Sequence, residues 1–369
     1  MFKCILSKED ILKPLQLIGG IADKKHTMPV LSFILFEIHD GCLTMKVSDL
    51  ETEILAKLEL RLNAEPGKIT LPAKKLIEII RNLPDGAEIE ITQEKDTRIL
   101  VRSHLSRFIL SSLPPDTFPS MEEDVGKSMF KISLNALTQA VKRVQFAMAN
   151  NDVRYFLNGM LWEIQGNSFK SVATDGHRMA SSEVTIEDTY LDCVQMIVPR
   201  KAINELQRVI SGQEDCEAEV QIGKNYFKLV LPNYQFTSKL IDACYPDYTR
   251  VVPLNNNRVL IADRLALKQA LTRTAILSNE KYRGVRLNLD QNQLTFSANN
   301  PEHEEASDEI SVQYHDQAME IGFNVGYLLD SISVLDAEKV ALYFDTPAMS
   351  LLIKDDTSNS QYVVSPIRL

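Results

Sequence analysis

Cysteine is scarce and scattered. Cys4, Cys42, Cys193, Cys216 and Cys244 are odd in number and form no CxxC pair. That pattern argues against a disulfide framework and a paired-cysteine zinc site, and it fits a reducing compartment. No apolar run approaches the roughly 20 residues a membrane span needs. Lys3, Lys8, Glu9 and Asp10 near the start do not read as a signal peptide. The expectation is a cytoplasmic protein with no membrane partner. Serine elbow, P-loop and GxGxxG are all missing, so no common catalytic or cofactor motif is in view. Positive charge is also short. The net charge of −10 is wrong in sign for a nucleic-acid binder if taken alone. What is present is 44% apolar and 24% charged over 369 residues, a globular mix long enough for three ordinary domains.

The chain says much the same thing three times. Four phrases recur in one order, displaced by about 125 residues, far too long a period for a solenoid. An apolar opening leads into an amphipathic stretch from Phe2, Phe130 and Asn257. A polar turn follows a strand at "SDLETEI" from Ser48, "ATDGHRMA" from Ala173 and "SANNPEHEEA" from Ser297. A strand end runs into a helix at "TLPAKKLIEIIRNL" from Thr70, "IVPRKAINELQRVI" from Ile197 and "GFNVGYLLDSISVL" from Gly322. A closing strand begins at Phe108, Phe236 and Gln361. Three copies of one small domain are expected, over residues 1–127, 128–252 and 253–369.

Within each copy the apolar period changes twice. Ile11, Leu12, Leu15 and Ile18 recur at helical spacing, as do Leu137, Val141 and Val144, and Leu267, Leu271 and Thr274. A second helix in each copy carries Leu76, Ile77, Ile80 and Leu83, then Ile203, Leu206, Val209 and Ile210, then Leu328, Leu329, Ile332 and Leu335. Ser133 and Asp263 are placed as N-caps, and Pro72 and Pro199 mark helix entries. Between the helices the period drops to two, with hairpin turns at Asp40-Gly41 and Gly166-Asn167. Each unit is therefore α+β, with helices on one side of a hairpin-linked sheet.

Charge is segregated between these parts. Residues 73–83, 134–148, 200–210 and 263–277 are each +2, and the six helical windows together carry +7, which leaves −17 for the rest. Basic helices inside an acidic shell suit a protein whose helices face a polyanion. Three short-linked units would form an arc, and two arcs head to tail would close a ring. Twelve helices side by side at roughly 8–10 Å give a channel roughly 32–38 Å across between helix axes, wide enough for a duplex. Lining lysines and arginines would hold phosphates without reading bases. For the ring's ends, Lys75, Arg98, Arg107 and Phe108 in the first unit face Ile276, Leu277, Glu302, Glu304 and Glu305 in the third, an apolar centre with a charged rim.

Over essentially its whole length the chain resembles the bacterial DNA polymerase III beta subunit family, the sliding clamps. The resemblance rests on "DVRYFLNGMLWE" from Asp152, "VATDGHRMA" from Val172, "FTSKLIDACYPDY" from Phe236, "AILSNEKYRGVRL" from Ala275, "ANNPEHEEA" from Ala298 and "YVVSPIRL" from Tyr362. It implies three repeated clamp domains, helices lining an inner face, antiparallel sheets outside and a head-to-tail homodimeric ring around duplex DNA. It implies no active site and no cofactor or metal. The partners it implies are a clamp loader ATPase, the polymerase III alpha subunit, and other polymerases and repair proteins. DNA contacts carry over to Lys25, Lys74, Asn151, Tyr155 and Phe156. The family often has arginine at the two lysine positions, so charge is kept here and the bidentate fork is lost. A peptide-binding pocket carries over to Leu157, Thr174, Gly176, His177, Arg178, Met179, Pro246, Arg250, Val251 and Tyr327. It continues into the tail, Val363, Val364, Ser365, Pro366, Ile367, Arg368 and Leu369. Ser365 and Ile367 stand where the family commonly has the more adaptable methionine.

Two other readings are distinguishable. Asp175 and His177 in "TDGHR" could be a catalytic pair or metal ligands, but no second histidine or cysteine stands at ligand spacing, and the other repeats keep neither residue. A peptide-binding scaffold that never encircles DNA would suit the net charge of −10.

Overall fold

A computed structural model of the chain describes residues 2–22, 28–60, 64–121, 128–187 and 193–368. The first repeat contains β1 (Lys3–Ser7), α1 (Lys8–Ile18), β2 (Phe33–His39), β3 (Cys42–Ser48), β4 (Thr52–Glu59), β5 (Gly67–Pro72), α2 (Ala73–Asn82), β6 (Glu88–Lys95), β7 (Arg98–Ser103) and β8 (Ser106–Ser111). The second contains β9 (Ser128–Ser133), α3 (Leu134–Lys142), β10 (Gly159–Gln165), β11 (Ser168–Thr174), β12 (Arg178–Thr185), β13 (Val194–Pro199), α4 (Arg200–Ile210), β14 (Glu217–Ile222), β15 (Tyr226–Val230) and β16 (Tyr234–Lys239). The third contains β17 (Arg258–Asp263), α5 (Arg264–Thr274), β18 (Gly284–Asp290), β19 (Gln293–Asn299), β20 (Glu305–Ser311), β21 (Met319–Asn324), α6 (Val325–Ser333), β22 (Lys339–Phe344), β23 (Leu351–Lys354) and β24 (Asn359–Val364). One order of elements is used three times, as the repeated phrases predict.

The helices form where the periodicity places them. Ile11, Leu15 and Ile18 of α1 are buried, as are Leu76 and Ile80 of α2 and Leu267 and Leu271 of α5. Ser7 caps α1 through the Asp10 amide, Asp263 caps α5 through Ala266, and Asn324 caps α6 through Gly326 and Tyr327. Pro72 sits at the entry of α2 and needs no amide partner there. At the start of α3, Ser133 donates to the Asp215 carboxylate, which accepts the Asn135 amide at 3.0 Å. The β2–β3 turn has Asp40 at φ 48° and Gly41 at φ 74°, the left-handed pair a tight hairpin requires.

The chain makes two compact units, one of residues 1–135 with 204–240 and one of residues 136–203 with 241–369. Each holds one eight-stranded and one four-stranded antiparallel sheet. In the first unit the orders are β5-β2-β3-β4-β16-β15-β14-β9 and β1-β6-β7-β8. In the second they are β13-β10-β11-β12-β24-β23-β22-β17 and β20-β19-β18-β21. Each eight-stranded sheet is thus two four-stranded halves from successive repeats, joined at β4–β16 and at β12–β24. The repeats and the compact units have different boundaries because these joins tie strands of successive repeats into one sheet. Helices pack on the sheets: α1 on α2 and β4, α5 on α6 and β20. Trp162, the largest fully buried side chain, meets Phe169 edge to face at 5.4 Å in the second unit. No helix among the described residues is long and apolar enough to cross a membrane.

Candidate functional site

The second unit gathers the pocket residues around the turn between β11 and β12. Asp175 makes this turn. Its Oδ1 accepts the amides of His177 at 2.9 Å and Arg178 at 3.0 Å, the self-bonding that favours aspartate in turns. Thr174 Oγ1 accepts the Gly176 amide at 3.0 Å and donates to the Arg178 carbonyl at 2.7 Å. Gly176 has φ +88°, and a Cβ there would lie 2.9 Å from the Arg154 guanidinium. With its carboxylate occupied by the turn and by Arg178 Nε at 3.1 Å, Asp175 is a structural group. His177 is exposed beside it.

Arg178 is the clasp of the site. Its guanidinium donates to Asp175, to Asp330 of α6 and to the Phe146 carbonyl at 2.8 Å. It lies over the rings of Phe146 at 5.1 Å and Tyr327 at 4.5 Å. Its guanidinium is therefore committed to holding the turn against α6. Arg178 and Tyr327, both expected in the pocket, lie together.

Below the turn is an apolar floor. Leu161, Val172, Met179, Ile197, Tyr248, Leu352 and Val363 form one buried cluster, and Phe156, Ile241, Ala243, Tyr245, Val252 and Tyr343 pack half-buried on it. The β12–β24 register sets Met179 opposite Val363 and Arg178 opposite Val364. The tail continues past the strand: the Ser365 amide donates to the His177 carbonyl at 2.9 Å and the Ile367 amide to the Gly322 carbonyl at 2.8 Å. Ser365, Pro366 and Ile367 are half-buried and Arg368 exposed. Leu157 is buried, Pro246 exposed and Val251 47% exposed. Arg250 holds Asp247 at 2.9 Å on the surface. Tyr245 was not visible in the sequence pattern. Its hydroxyl accepts the Thr174 amide at 3.1 Å, and burial pushes its pKa up.

A rigid loop adjoins this wall. Ala149 and Leu157 close it by a backbone bond of 3.0 Å, and Asn158 Oδ1 accepts the Asp152 amide at 2.9 Å. Arg154 grips Asp152 with two bonds of 3.0 and 2.9 Å and reaches the Asp175 carbonyl at 3.2 Å. Hydrogen bonds from Arg154 hold the Asp152 carboxyl down at about 2. Of the expected DNA contacts, Asn151 is exposed at φ +57° and Tyr155 is 57% exposed. Phe156 packs half-buried on the apolar cluster, with Tyr155 at an edge-on ring angle and 6.0 Å between centroids. Lys74 stands exposed on α2 in the first unit, 3.8 Å from Glu78. Lys25 and Leu369 lie outside the described residues.

The expected interface residues lie on and beside two edge strands, β8 and β20. In the first unit Arg98 lies on β7, Arg107 and Phe108 on the outermost strand β8, and Lys75 on α2. Arg107 pairs with Glu94 at 3.0 Å. In the second unit Glu302 and Glu304 lie in the turn before β20, the outermost strand of its sheet, and Glu305 begins that strand. Ile276, 75% exposed, and Leu277 occupy a 3-10 turn after α5, and Arg273 pairs with Asp308 at 2.6 Å.

Known proteins match the chain over its whole length. Models of the DNA polymerase III beta subunit match in three pieces: the N-terminal domain over residues 2–122, the central domain over 131–247 and the C-terminal domain over 249–368. The beta sliding clamp of Pseudomonas aeruginosa is 44% identical over 365 residues, 99% of each chain. That of Escherichia coli K12 is 44% identical over 368 residues, 100% of each. A crystal structure of the Pseudomonas aeruginosa sliding clamp with a ligand superposes at a TM-score of 0.96 with 42% identity, covering both chains fully. Another, bound to griselimycin, superposes at 0.97 with 43% identity. The three domain matches, the full-length identity and the shared fold place this chain in the DNA polymerase III beta subunit family, the bacterial sliding clamps.

Proposed function

We infer that the chain is a DNA sliding clamp that works as a head-to-tail homodimeric ring around duplex DNA, without sequence preference, and tethers the replicative polymerase. The observation that carries the ring is the pattern of joined and open strand edges. At one join Phe236 of β16 lies opposite Ile54 of β4, and at the other Tyr362 of β24 lies opposite Ala180 of β12. Both aromatics are buried, at 1% and 0% exposure. The repeat alignment makes Phe108 of β8 the third aromatic and puts Ala306 of β20 in the place of Ile54 and Ala180. Among the described residues β8 and β20 have no strand on their outer sides. Setting β8 of one copy beside β20 of a second builds a third eight-stranded sheet like the other two. Two such junctions close two chains into a ring of six domains. Unpaired edges of this kind invite strand addition. Arg98 and Arg107 on one side meet Glu302, Glu304 and Glu305 on the other, with Ile276 and Leu277 supplying apolar contact.

In this reading the basic helices line the channel and Lys74, Asn151 and Tyr155 contact phosphates, as Lys25 does. The apolar floor under the Asp175 turn takes short peptides through their aliphatic and aromatic anchors. Its occupants are the polymerase III alpha subunit, the clamp loader, and other polymerases and repair proteins. The chain has no catalytic role of its own and works in the cytoplasm. The domains follow the repeats, at 1–127, 128–252 and 253–369. Its test is topological. Loaded onto nicked circular DNA, the protein is expected to be retained through gel filtration and to be lost within minutes when the circle is cut. Equal retention on circular and linear DNA would leave only the scaffold reading.

A further inference from the structure

We propose that the first unit carries a second copy of the peptide site's framework, and that the charged pair Lys46–Glu53 closes it to apolar peptides. This rests on the reading of the apolar floor under the Asp175 turn as a peptide site. The two side chains then decide which junction between repeats takes the ligand.

The framework recurs bond for bond. Asp49 makes the turn between β3 and β4 as Asp175 makes the one between β11 and β12. Its Oδ1 accepts the amides of Glu51 at 2.9 Å and Thr52 at 2.6 Å. Leu50 takes the place of Gly176 and keeps the left-handed backbone, at φ 74° against 88°. After β16 the Lys239 amide donates to the Glu51 carbonyl at 2.8 Å, as the Ser365 amide does to the His177 carbonyl after β24. Leu31 is buried ahead of β2 as Leu157 is ahead of β10.

The floor does not recur. Six residues of the second unit's floor lie on strands, and the strand registers fix their counterparts in the first. Leu35 keeps the apolar character of Leu161. Lys46 stands for Val172, Glu53 for Met179 and Thr237 for Val363. Lys228 stands for Leu352 and Thr70 for Ile197. Lys46 Nζ lies 3.3 Å from Glu53 Oε1, with 24% and 13% of the two side chains exposed. The pair thus keeps some hydration where Val172 and Met179 are fully buried. A leucine or phenylalanine anchor set on this floor would strip that water and return no hydrogen bond, a loss that makes a charged pair reject apolar surface. Glu53 Oε2 is already buried without a donor among the described residues, so covering the pair adds to an existing deficit. Between two similar pockets, discrimination is built by such a repulsive element as well as by attraction.

The test removes the repulsion. Lys46→Met with Glu53→Met takes away both charges at nearly constant volume, an exchange that folds tolerate. A short synthetic peptide with one leucine and one phenylalanine anchor is titrated calorimetrically into the full-length parent and variant, to count sites per chain. A photoreactive group on the peptide, with attachments mapped by mass spectrometry, locates them. The parent is expected to bind one peptide per chain, attached near residues 172–181. The variant is expected to bind two, the second attached near residues 46–55 with an affinity within about tenfold of the first. A folded variant that still binds one peptide overturns the proposal, and so does a parent already labelled near residues 46–55. If opening requires Lys228→Leu and Thr237→Val in addition, the pair is not what closes the junction and its assignment falls. Lys46→Val with Glu53→Met, which reproduces the second unit's residues, decides the matter should the first variant not fold by circular dichroism. The two junctions are scored separately. No attachment near residues 172–181 removes the peptide reading of the second unit, while gain or no gain near residues 46–55 still settles the role of the pair.

Discussion

Gly176 is where one atom decides most. Its φ of +88° lies in the region that side chains avoid, and a Cβ would meet the Arg154 guanidinium at 2.9 Å. Gly176→Ala is expected to cost about 1–2 kcal/mol, read by thermal unfolding. In the proposed peptide site the turn is a wall, so anisotropy of a labelled peptide with apolar anchors should report weaker binding at a temperature where the variant is folded. Parent-like stability and affinity would mean the turn relaxes freely. Residues of this turn were legible in the sequence because "TDGHR" is local: Asp175, Gly176 and Arg178 act within four positions of one another. Tyr245, Asp330 and Phe146 were not, since each reaches the turn from a distant stretch with no pattern linking them. For the same reason the sequence names Arg178 for the site without showing what its guanidinium holds, which is Asp175, Asp330 and the Phe146 carbonyl.

Helices and hairpins are local objects, and their positions follow from apolar period and turn chemistry. Their ends depend on partners further off. Asp263 acts as the N-cap its spacing suggests, through the Ala266 amide at 2.7 Å. At α3, Ser133 does not act alone, because Asp215, brought in by the loop between α4 and β14, accepts the Asn135 amide and the Ser133 hydroxyl. A carboxylate at this end also opposes the positive pole of the helix. Asp215→Ala is therefore expected to destabilise the protein by about 1 kcal/mol, a fall of about 2 °C in the unfolding midpoint by circular dichroism. Ser133→Ala should act in the same direction, and the double variant should cost less than the two single losses together because the groups share one network. Additive losses would mean that Ser133 and Asp215 cap independently.

The threefold duplication is legible in the whole chain because each copy repeats its phrases in order. Which strand edges meet is not legible. A β4–β16 join links Thr52 to Ser238 and Ala56 to Tyr234, and nothing periodic in the sequence encodes a partner so far along. The structure supplies two joins with one register, and the proposed ring extends that register to a third between copies. Carried over, it sets Phe108 opposite Ala306 and Arg107 opposite Ser307. Arg107 and Ser307 both point outward on their strands, so cysteines there disturb no core. Directly opposed residues of antiparallel strands have Cα atoms about 4.5–5.5 Å apart, inside the range a disulfide can bridge. Arg107→Cys with Ser307→Cys in one chain should give a covalently closed dimer on mild oxidation, seen at twice the chain mass without reductant and reversed by it. Each single variant should run at the single-chain mass on a denaturing gel without reductant, which controls for the exposed Cys193 and Cys244. Because a sheet register slips in steps of two to keep the same face, Arg107→Cys with Glu305→Cys or Glu309→Cys is the competing pair. Stronger cross-linking by either of those would overturn the register, and no cross-link by any pair, with the dimer mass kept in light scattering, would place the interface elsewhere on the molecule.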